Sequence, residues 1–175
     1  MMMNKLKLHF VGDQILREKA APVAKVDDKI REILSEMEKI MRAESGAGLA
    51  APQVGILKRM LIFLEIEKHG EKITVYKCVN PKIISCSEKR VAIDEGCLSV
   101  QGPDGPIFAG VDRPESVVAE WIDENGAMQK KEFSGYAARA IQHEIDHLDG
   151  ILFIDYLSSA KREMVMRKVK KRHGN

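Results

Sequence analysis

The stretch Gln142-His143-Glu144-Ile145-Asp146-His147-Leu148-Asp149-Gly150 constrains the rest of this 175-residue chain. On an α-helix, residues four apart stand one above the other, so His143 and His147 point the same way with Glu144 beside the first. Two imidazoles placed like this can hold one metal ion, and the adjacent carboxylate can take a proton from water on that ion. This is the H-E-x-x-H arrangement. The plain alternative is a surface helix that happens to carry two histidines. It is the weaker alternative, because the chain has only 5 His and two of them frame a Glu at this spacing. A reactive metal takes three protein ligands and keeps one position open. A third ligand must therefore come from elsewhere in the chain.

Around this stretch the pattern is helical. Ser134 is placed to cap the helix, Ala137, Ala138, Ile141, Ile145 and Leu148 supply its apolar positions, and Gly150 stops it. A helix this apolar belongs in the middle of the molecule. Ile151-Leu152-Phe153-Ile154 reads as a short strand or extended exit. From Ser158 a second amphipathic helix carries Lys161, Arg162, Arg167, Lys168, Lys170, Lys171 and Arg172 against the single acid Glu163. Such a run is ordinarily a solvated helix face; the sharper reading is docking onto a polyanion such as RNA. Upstream, Val117–Ile122 and Met128–Phe133 flank Asp123-Glu124-Asn125-Gly126, whose Asn-Gly signals a hairpin, with Trp121 packed inside it.

Earlier segments alternate strands and breaks. Arg90–Asp94 leads into Glu95-Gly96-Cys97-Leu98-Ser99, where a thiol after a glycine and among polar neighbours can approach a metal. Gln101–Gly110 holds 3 Gly and 2 Pro and reads as a loop. Met60–Leu64 and Ile73–Val79 read as strands, and Asn80-Pro81 interrupts the pattern before Lys82-Ile83-Ile84. Cys78 and Cys86 are expected to be small buried hydrophobes, and His69 a solvated turn residue. The glycine-rich Gly46-Ala47-Gly48-Leu49-Ala50-Ala51-Pro52-Gln53-Val54-Gly55 lets backbone come close to another group. It lacks the Gly-Lys-Ser/Thr of a phosphate loop and reads as a tight turn able to line a site. Ile30, Ile33, Leu34, Met37, Ile40 and Met41 recur at helical spacing behind Asp27 and Asp28, and residues 9–26 read as irregular.

The totals narrow the class. At 175 residues, 1–175 is expected to form one domain with 158–175 as its basic C-terminal helix. The composition, 45% hydrophobic and 31% charged, is that of an ordinary globular protein, and a net charge of +2 gives no ground for nucleic acid as a general partner. An odd number of cysteines, 3, favours reduced thiols and a cytoplasmic setting. No apolar run approaches the ~20 residues of a membrane span, and the start lacks the apolar core of a secretory signal.

Three segments together resemble the peptide deformylases: Gly46-Ala47-Gly48-Leu49-Ala50-Ala51-Pro52-Gln53, Glu95-Gly96-Cys97-Leu98-Ser99 and Gln142-His143-Glu144-Ile145-Asp146-His147-Leu148. The Gln before His143 and the basic C-terminal helix suggest the bacterial type. The resemblance implies an α+β fold, antiparallel β-sheets wrapped around a central metal-binding α-helix, with a C-terminal α-helix. It implies removal of the N-formyl group from the formyl-methionine of newly made polypeptides. Cys97, His143 and His147 would hold one divalent metal ion, Fe2+ as the native metal, with Zn2+, Ni2+ or Co2+ found in preparations. Water on that ion would be the nucleophile and Glu144 the general base and then acid. The Gln53 side chain and the Leu98 backbone N–H would stabilise the oxyanion. Gly46, Gly48, Ile93, Glu95, Gly96 and Ala140 are carried over as substrate-binding positions. Arg113 matches an arginine that pairs with Glu95. The partners implied are N-formyl-Met nascent peptides and the ribosome near its exit tunnel, through the basic helix, with no membrane and a monomeric state.

The chain departs from the family pattern after Ser99-Val100, where Gln101-Gly102 replaces Pro-Gly and the loop to Arg113 is longer. Two rivals stay in view. A zincin-type metallopeptidase shares H-E-x-x-H but takes its third ligand downstream. A non-catalytic formyl-peptide or ribosome-binding module would keep the metal for structure only.

Overall fold

A computed structural model describes residues 6–67, 70 and 72–172, so the expectation for His69 and that for the first residues of the chain lie outside the described residues. In chain order the elements are α1 (Asp28–Ala43), β1 (Gly48–Ala50), β2 (Met60–Ile66), β3 (Ile73–Cys86), β4 (Arg90–Glu95), β5 (Gln101–Gly102) and β6 (Gly105–Pro106). They continue with β7 (Ala109–Pro114), β8 (Ser116–Ile122), β9 (Met128–Ser134), α2 (Gly135–Leu148) and α3 (Ser159–Arg172). A five-stranded antiparallel sheet has the order β1-β2-β3-β8-β9, and two smaller pairs, β4-β7 and β5-β6, stand beside it. The architecture is the α+β one expected, with helix α2 in the middle and a C-terminal helix.

Strand β2 explains why the sheet is covered on both faces. Successive side chains of a strand point to opposite sides. Leu61 and Phe63 join the cluster around α2, with Ala138 and Ile141. Met60 and Ile62 join the cluster under α1, with Leu34, Met37 and Met41. Without a polar alternation, the run Met60–Leu64 could be stable only with apolar partners on each face. Phe63, Tyr76, Trp121 and Phe133 meet at ring-centroid distances of 5.1–5.8 Å and anchor the α2 side. A third cluster, with Cys97, Val111 and Phe153, is closed by Val165 and Val169, the buried residues of α3.

Helix α1 starts where expected: the Asp27 carboxylate accepts the Ile30 N–H at 2.9 Å. Several local expectations are corrected. Asn80-Pro81 does not end a strand; β3 runs through it, with Asn80 in the left-handed region (φ 50) and register shifts between Val79 and Lys82. The Asn80 side chain bridges to Val23, donating to its carbonyl and accepting its N–H, both at 2.8 Å. Cys78 is buried as expected, but Cys86 is exposed at the end of β3. The segment Gln101–Gly110 is not all loop, since β5 and β6 pair within it. Ser134 precedes α2 in extended backbone but its side chain makes no capping bond. Of the short strand or extended exit expected at Ile151–Ile154, the extended form holds at Leu152 and a 3-10 turn, Phe153–Tyr156, follows it. No helix among the described residues is long and apolar enough to cross a membrane.

Candidate metal centre

Helix α2 delivers the two imidazoles and the chain leaving β4 delivers the sulfur. The Nε2 atoms of His143 and His147 lie 3.2 Å apart, and Cys97 Sγ lies 3.3 Å from His147 Nε2. All three residues are buried, and their ligand atoms lie within 4.8 Å of one another. A tetrahedral ion with ordinary metal–nitrogen and metal–sulfur bonds would set its ligands about 3.4–3.6 Å apart. The observed spacings match to within a few tenths of an ångström. Among the described residues this is the one cluster of His, Cys, Asp or Glu with metal-ligand spacing, and its donor set, two ring nitrogens and a thiol, fits one divalent ion.

The ring of His143 is held from behind. Its Nδ1 lies 3.0 Å from Glu95 Oε2, which places the proton on Nδ1 and leaves the Nε2 lone pair toward Cys97 and His147. Glu95 also accepts from Arg113 Nε at 2.6 Å, Arg113 Nη2 at 3.0 Å and Arg139 Nη1 at 2.6 Å. Burial by itself would raise the Glu95 pKa, but the hydrogen bonds from His143 and Arg113 and the Arg113 charge outweigh it and hold the carboxyl at about 2. Arg113 reaches on to Asp146 at 2.8 Å, and Tyr156 donates to the same carboxylate at 3.0 Å. Asp146 thus supports the site from outside the ligand face.

Glu144 is different in kind. Its Oε2 is buried without a hydrogen-bond partner among the described residues. Burial pushes its carboxyl up to about 7, where it can both take and give a proton near neutrality. Gln53 is fixed in orientation: its Oε1 accepts the Ala50 N–H at 2.8 Å, so its Nε2 faces Ser99 Oγ at 3.0 Å and Cys97 Sγ at 3.5 Å. Leu98 sits in the turn between Cys97 and Val100, two residues joined by an isolated bridge.

A cleft of about 320 Å³ opens onto these groups. Gly46, Gly48, Gln53, Glu95, Gly96, Cys97, Leu98, Ala140, His143 and Glu144 all line it, which brings together nearly every residue expected from the sequence. The exceptions are His147, which is buried with its Nε2 3.2 Å from that of His143, and Ile93. Ile93 stands one residue away from Asp94 on the strand, and Asp94 is the one that lines the cleft. Glu95 lies in the wall, but both its oxygens are taken by Arg113, Arg139 and His143, so it orients the imidazole and offers nothing free to a ligand. The expected tight turn around Gly48 is an edge strand followed by a 3-10 turn. A Cβ on Gly48 would collide with the Glu144 carboxylate, coming within 2.9 Å of its Cδ and Cγ. Sequence reasoning missed Leu64, Ile66, Phe108, Tyr136 and Arg139 in the lining. Arg139 carried a usable signal, being a charge one helical turn before His143 on the same face. A larger hollow, about 560 Å³, lies over α1 between Val23, Ile30, Ile33, Ile56 and Lys58. It brings no ligand set together, so size alone does not single out a site.

Comparison with known proteins agrees with this geometry. Residues 5–163 match the family model described as Polypeptide deformylase. The peptide deformylase of Rhizobium meliloti (strain 1021) is 43% identical over 164 residues, which cover 94% of this chain and 91% of that protein. That of Endomicrobium trichonymphae is 42% identical over 170 residues, covering 97% and 96%. Among solved structures, peptide deformylase from Ehrlichia chaffeensis in complex with actinonin superposes with a TM-score of 0.89 at 39% identity, covering 99% of this chain and 100% of that one.

Proposed function

The chain belongs to the polypeptide deformylase family, whose members are hydrolases, and we propose that it removes the formyl group from the N-formyl-methionine that begins new polypeptides, leaving formate and a free amine. One observation carries the reading at atomic level. Cys97, His143 and a Glu144 oxygen without a partner among the described residues share one cleft with the edge strand β1, and the His147 ring nitrogen lies 3.2 Å from that of His143.

Cys97 Sγ, His143 Nε2 and His147 Nε2 would hold one divalent cation, with ferrous iron as the native ion. When bound, that cation supplies Lewis acidity toward water and the formyl carbonyl. Glu144 takes the proton given up by the attacking water and passes it to the amine nitrogen as the C–N bond breaks. The Gln53 amide and the Leu98 backbone N–H donate to the carbonyl oxygen as it gains charge; losing one such donor raises a barrier by about 3 kcal/mol. The substrate backbone adds as an extended strand along β1, which lies at the edge of its sheet. Its methionine side chain enters between Gly46, Leu98 and Ala140, with Gly96 leaving room at the wall. The basic residues of α3, all exposed, dock the enzyme on ribosomal RNA near the exit tunnel.

The test is formate release from formyl-Met-Ala by anaerobically prepared protein with its metal content measured. Glu144→Ala is expected to keep the metal and lose turnover, and Cys97→Ser to lose both. A zincin-type centre would keep its metal in Cys97→Ser. Metal-loaded protein that releases no formate would overturn the assignment in favour of a binding module.

A further inference from the structure

The donor atoms of the metal centre come from two separate pieces of structure. Sulfur arrives on the chain leaving β4, and both imidazoles arrive on α2. The β4–β7 pair is not part of the five-stranded sheet that packs on α2, so something else must fix its distance from the helix. Arg113 of β7 joins the three through side chains, Glu95 and Asp146, but the helix residue that bonds the backbone of both strands is Arg139.

Arg139 lies on α2 one turn before His143 and is only 7% exposed. Its Nη1 donates to Glu95 Oε1 at 2.6 Å and to the Val111 carbonyl of β7 at 2.9 Å, and its Nη2 donates to the Val91 carbonyl of β4 at 2.5 Å. One planar group thereby grips both strands of the pair and the carboxylate that orients His143. The other side-chain bonds between α2 and this pair are Arg113 to Asp146 at 2.8 Å, Gln142 to the Pro114 carbonyl at 3.1 Å and His143 to the Glu95 carboxylate at 3.0 Å. None of these three reaches β4 backbone. Glu95 and Cys97 are two residues apart, so a shift of Glu95 along β4 carries the sulfur with it.

We infer that Arg139 is a positioning residue of the metal centre, setting the span between the Cys97 sulfur and the two imidazoles by locking β4 and β7 to α2. It rests on the reading of Cys97, His143 and His147 as ligands. The fork geometry of a guanidinium is essential to this role, because a lysine ammonium presents a point charge and cannot span acceptors on two strands in one plane. Removing a group that orients metal ligands from behind lowers metal affinity about 10–100-fold.

The test uses Co2+ as the probe in the full-length protein. The readouts are affinity by chelator competition, the sulfur-to-cobalt charge-transfer band, and thermal unfolding of the metal-free forms. Arg139→Met is expected to bind Co2+ about 10–100-fold more weakly with a displaced band, and Arg139→Lys to show the same changes to a smaller degree. Phe133→Leu, a core change at a residue that neither lines the cleft nor touches the charge cluster, is expected to lower the melting temperature while leaving affinity and band unchanged. Should Arg139→Met not fold, Arg139→Lys gives the same readouts. An Arg139 variant that melts lower but keeps the parent affinity and band would show a merely structural role and overturn the proposal. Absence of the sulfur-to-cobalt band in the parent protein would instead overturn the ligand assignment on which the proposal rests.

Discussion

Replacing Glu95 by Gln tests how much of the fold is held by the charge cluster behind the metal centre. The native carboxylate accepts four bonds, two from Arg113, one from Arg139 and one from His143, at 2.6–3.0 Å. The side chains of Glu95, Arg113 and Arg139 are 3%, 5% and 8% exposed, so water cannot replace what is lost. A glutamine keeps one acceptor oxygen and turns an N–H group toward a cation. Arg113 retains Asp146 and Arg139 retains two carbonyls, yet the cluster gains net positive charge in a dry place. Breaking a buried pair from one side costs about 3–5 kcal/mol. The pKa leads to a similar figure by another route. The carboxyl is depressed from 4.5 to about 2, which corresponds to about 3 kcal/mol.

The sign follows from the depression. The stabilisation is complete above the unfolded value near 4.5 and is lost as pH falls toward 2. For a chain of this size each kcal/mol moves the melting temperature by about 2–4 °C, so Glu95→Gln is expected to melt about 6–20 °C lower at pH 7. The assay is thermal and urea unfolding of the metal-free protein from pH 7 to pH 2.5. The parent should lose stability steeply below pH 4.5, and the variant should show a shallower acid limb. A loss below about 1 kcal/mol at pH 7, with parallel acid limbs, would refute the account of Glu95 as the hub of the cluster.

Other outcomes follow from single contacts. Gly48→Ala should keep the fold and the metal but depress formate release, because the added methyl displaces the Glu144 carboxylate; metal analysis beside a turnover assay checks it. In Gly150→Ala the backbone sits at φ +75 and the new Cβ would lie 2.5 Å from the Arg17 carbonyl oxygen, so a loss of at least about 1–3 kcal/mol in urea unfolding is expected. Asn80→Ala removes both bonds to Val23 and leaves a non-glycine residue at positive φ, and should cost about 2 kcal/mol by the same measurement. The Glu65 carboxyl is lowered against its burial by hydrogen bonds from Lys131 and Tyr76. Its contribution is present at neutral pH and fades as the solution is acidified, and Glu65→Gln should remove that part of the acid dependence.

Much of this was legible in the residues because it depends on short-range periodicity. The i, i+4 pair His143 and His147, the spacing Ile30–Met41 and the Asn-Gly turn are each complete within a dozen residues. What escaped has long-range causes. Pro81 reads as a break because it lacks an N–H, yet the pairing of β3 with β2 ends at Val79 and the pairing with β8 shifts there, so no bond is asked of it. The apolar run Ile151–Ile154 is too short for periodicity to separate strand from turn. Cys86 is exposed because the last turns of β3 project past the core, which composition does not reveal. Arg139 is buried only because Glu95, Val91 and Val111 arrive from a different part of the chain.

Strand β1 is three residues long, at the border of its sheet, with Leu49 and Ala50 fully buried and Gly48 at the bottom of the cleft. Exposed borders of sheets invite neighbouring molecules to stack on them and coalesce. Here the border is only three residues long, and its Gly48 shares the wall of the cleft with the exposed rings of Phe108 and Tyr136. Under the proposed function a single extended chain end needs no more than these three residues to pair with, whereas a long strand of a folded neighbour would find too few partner groups here to hold it. The brevity of that border would then favour visitors that have not yet acquired a shape of their own.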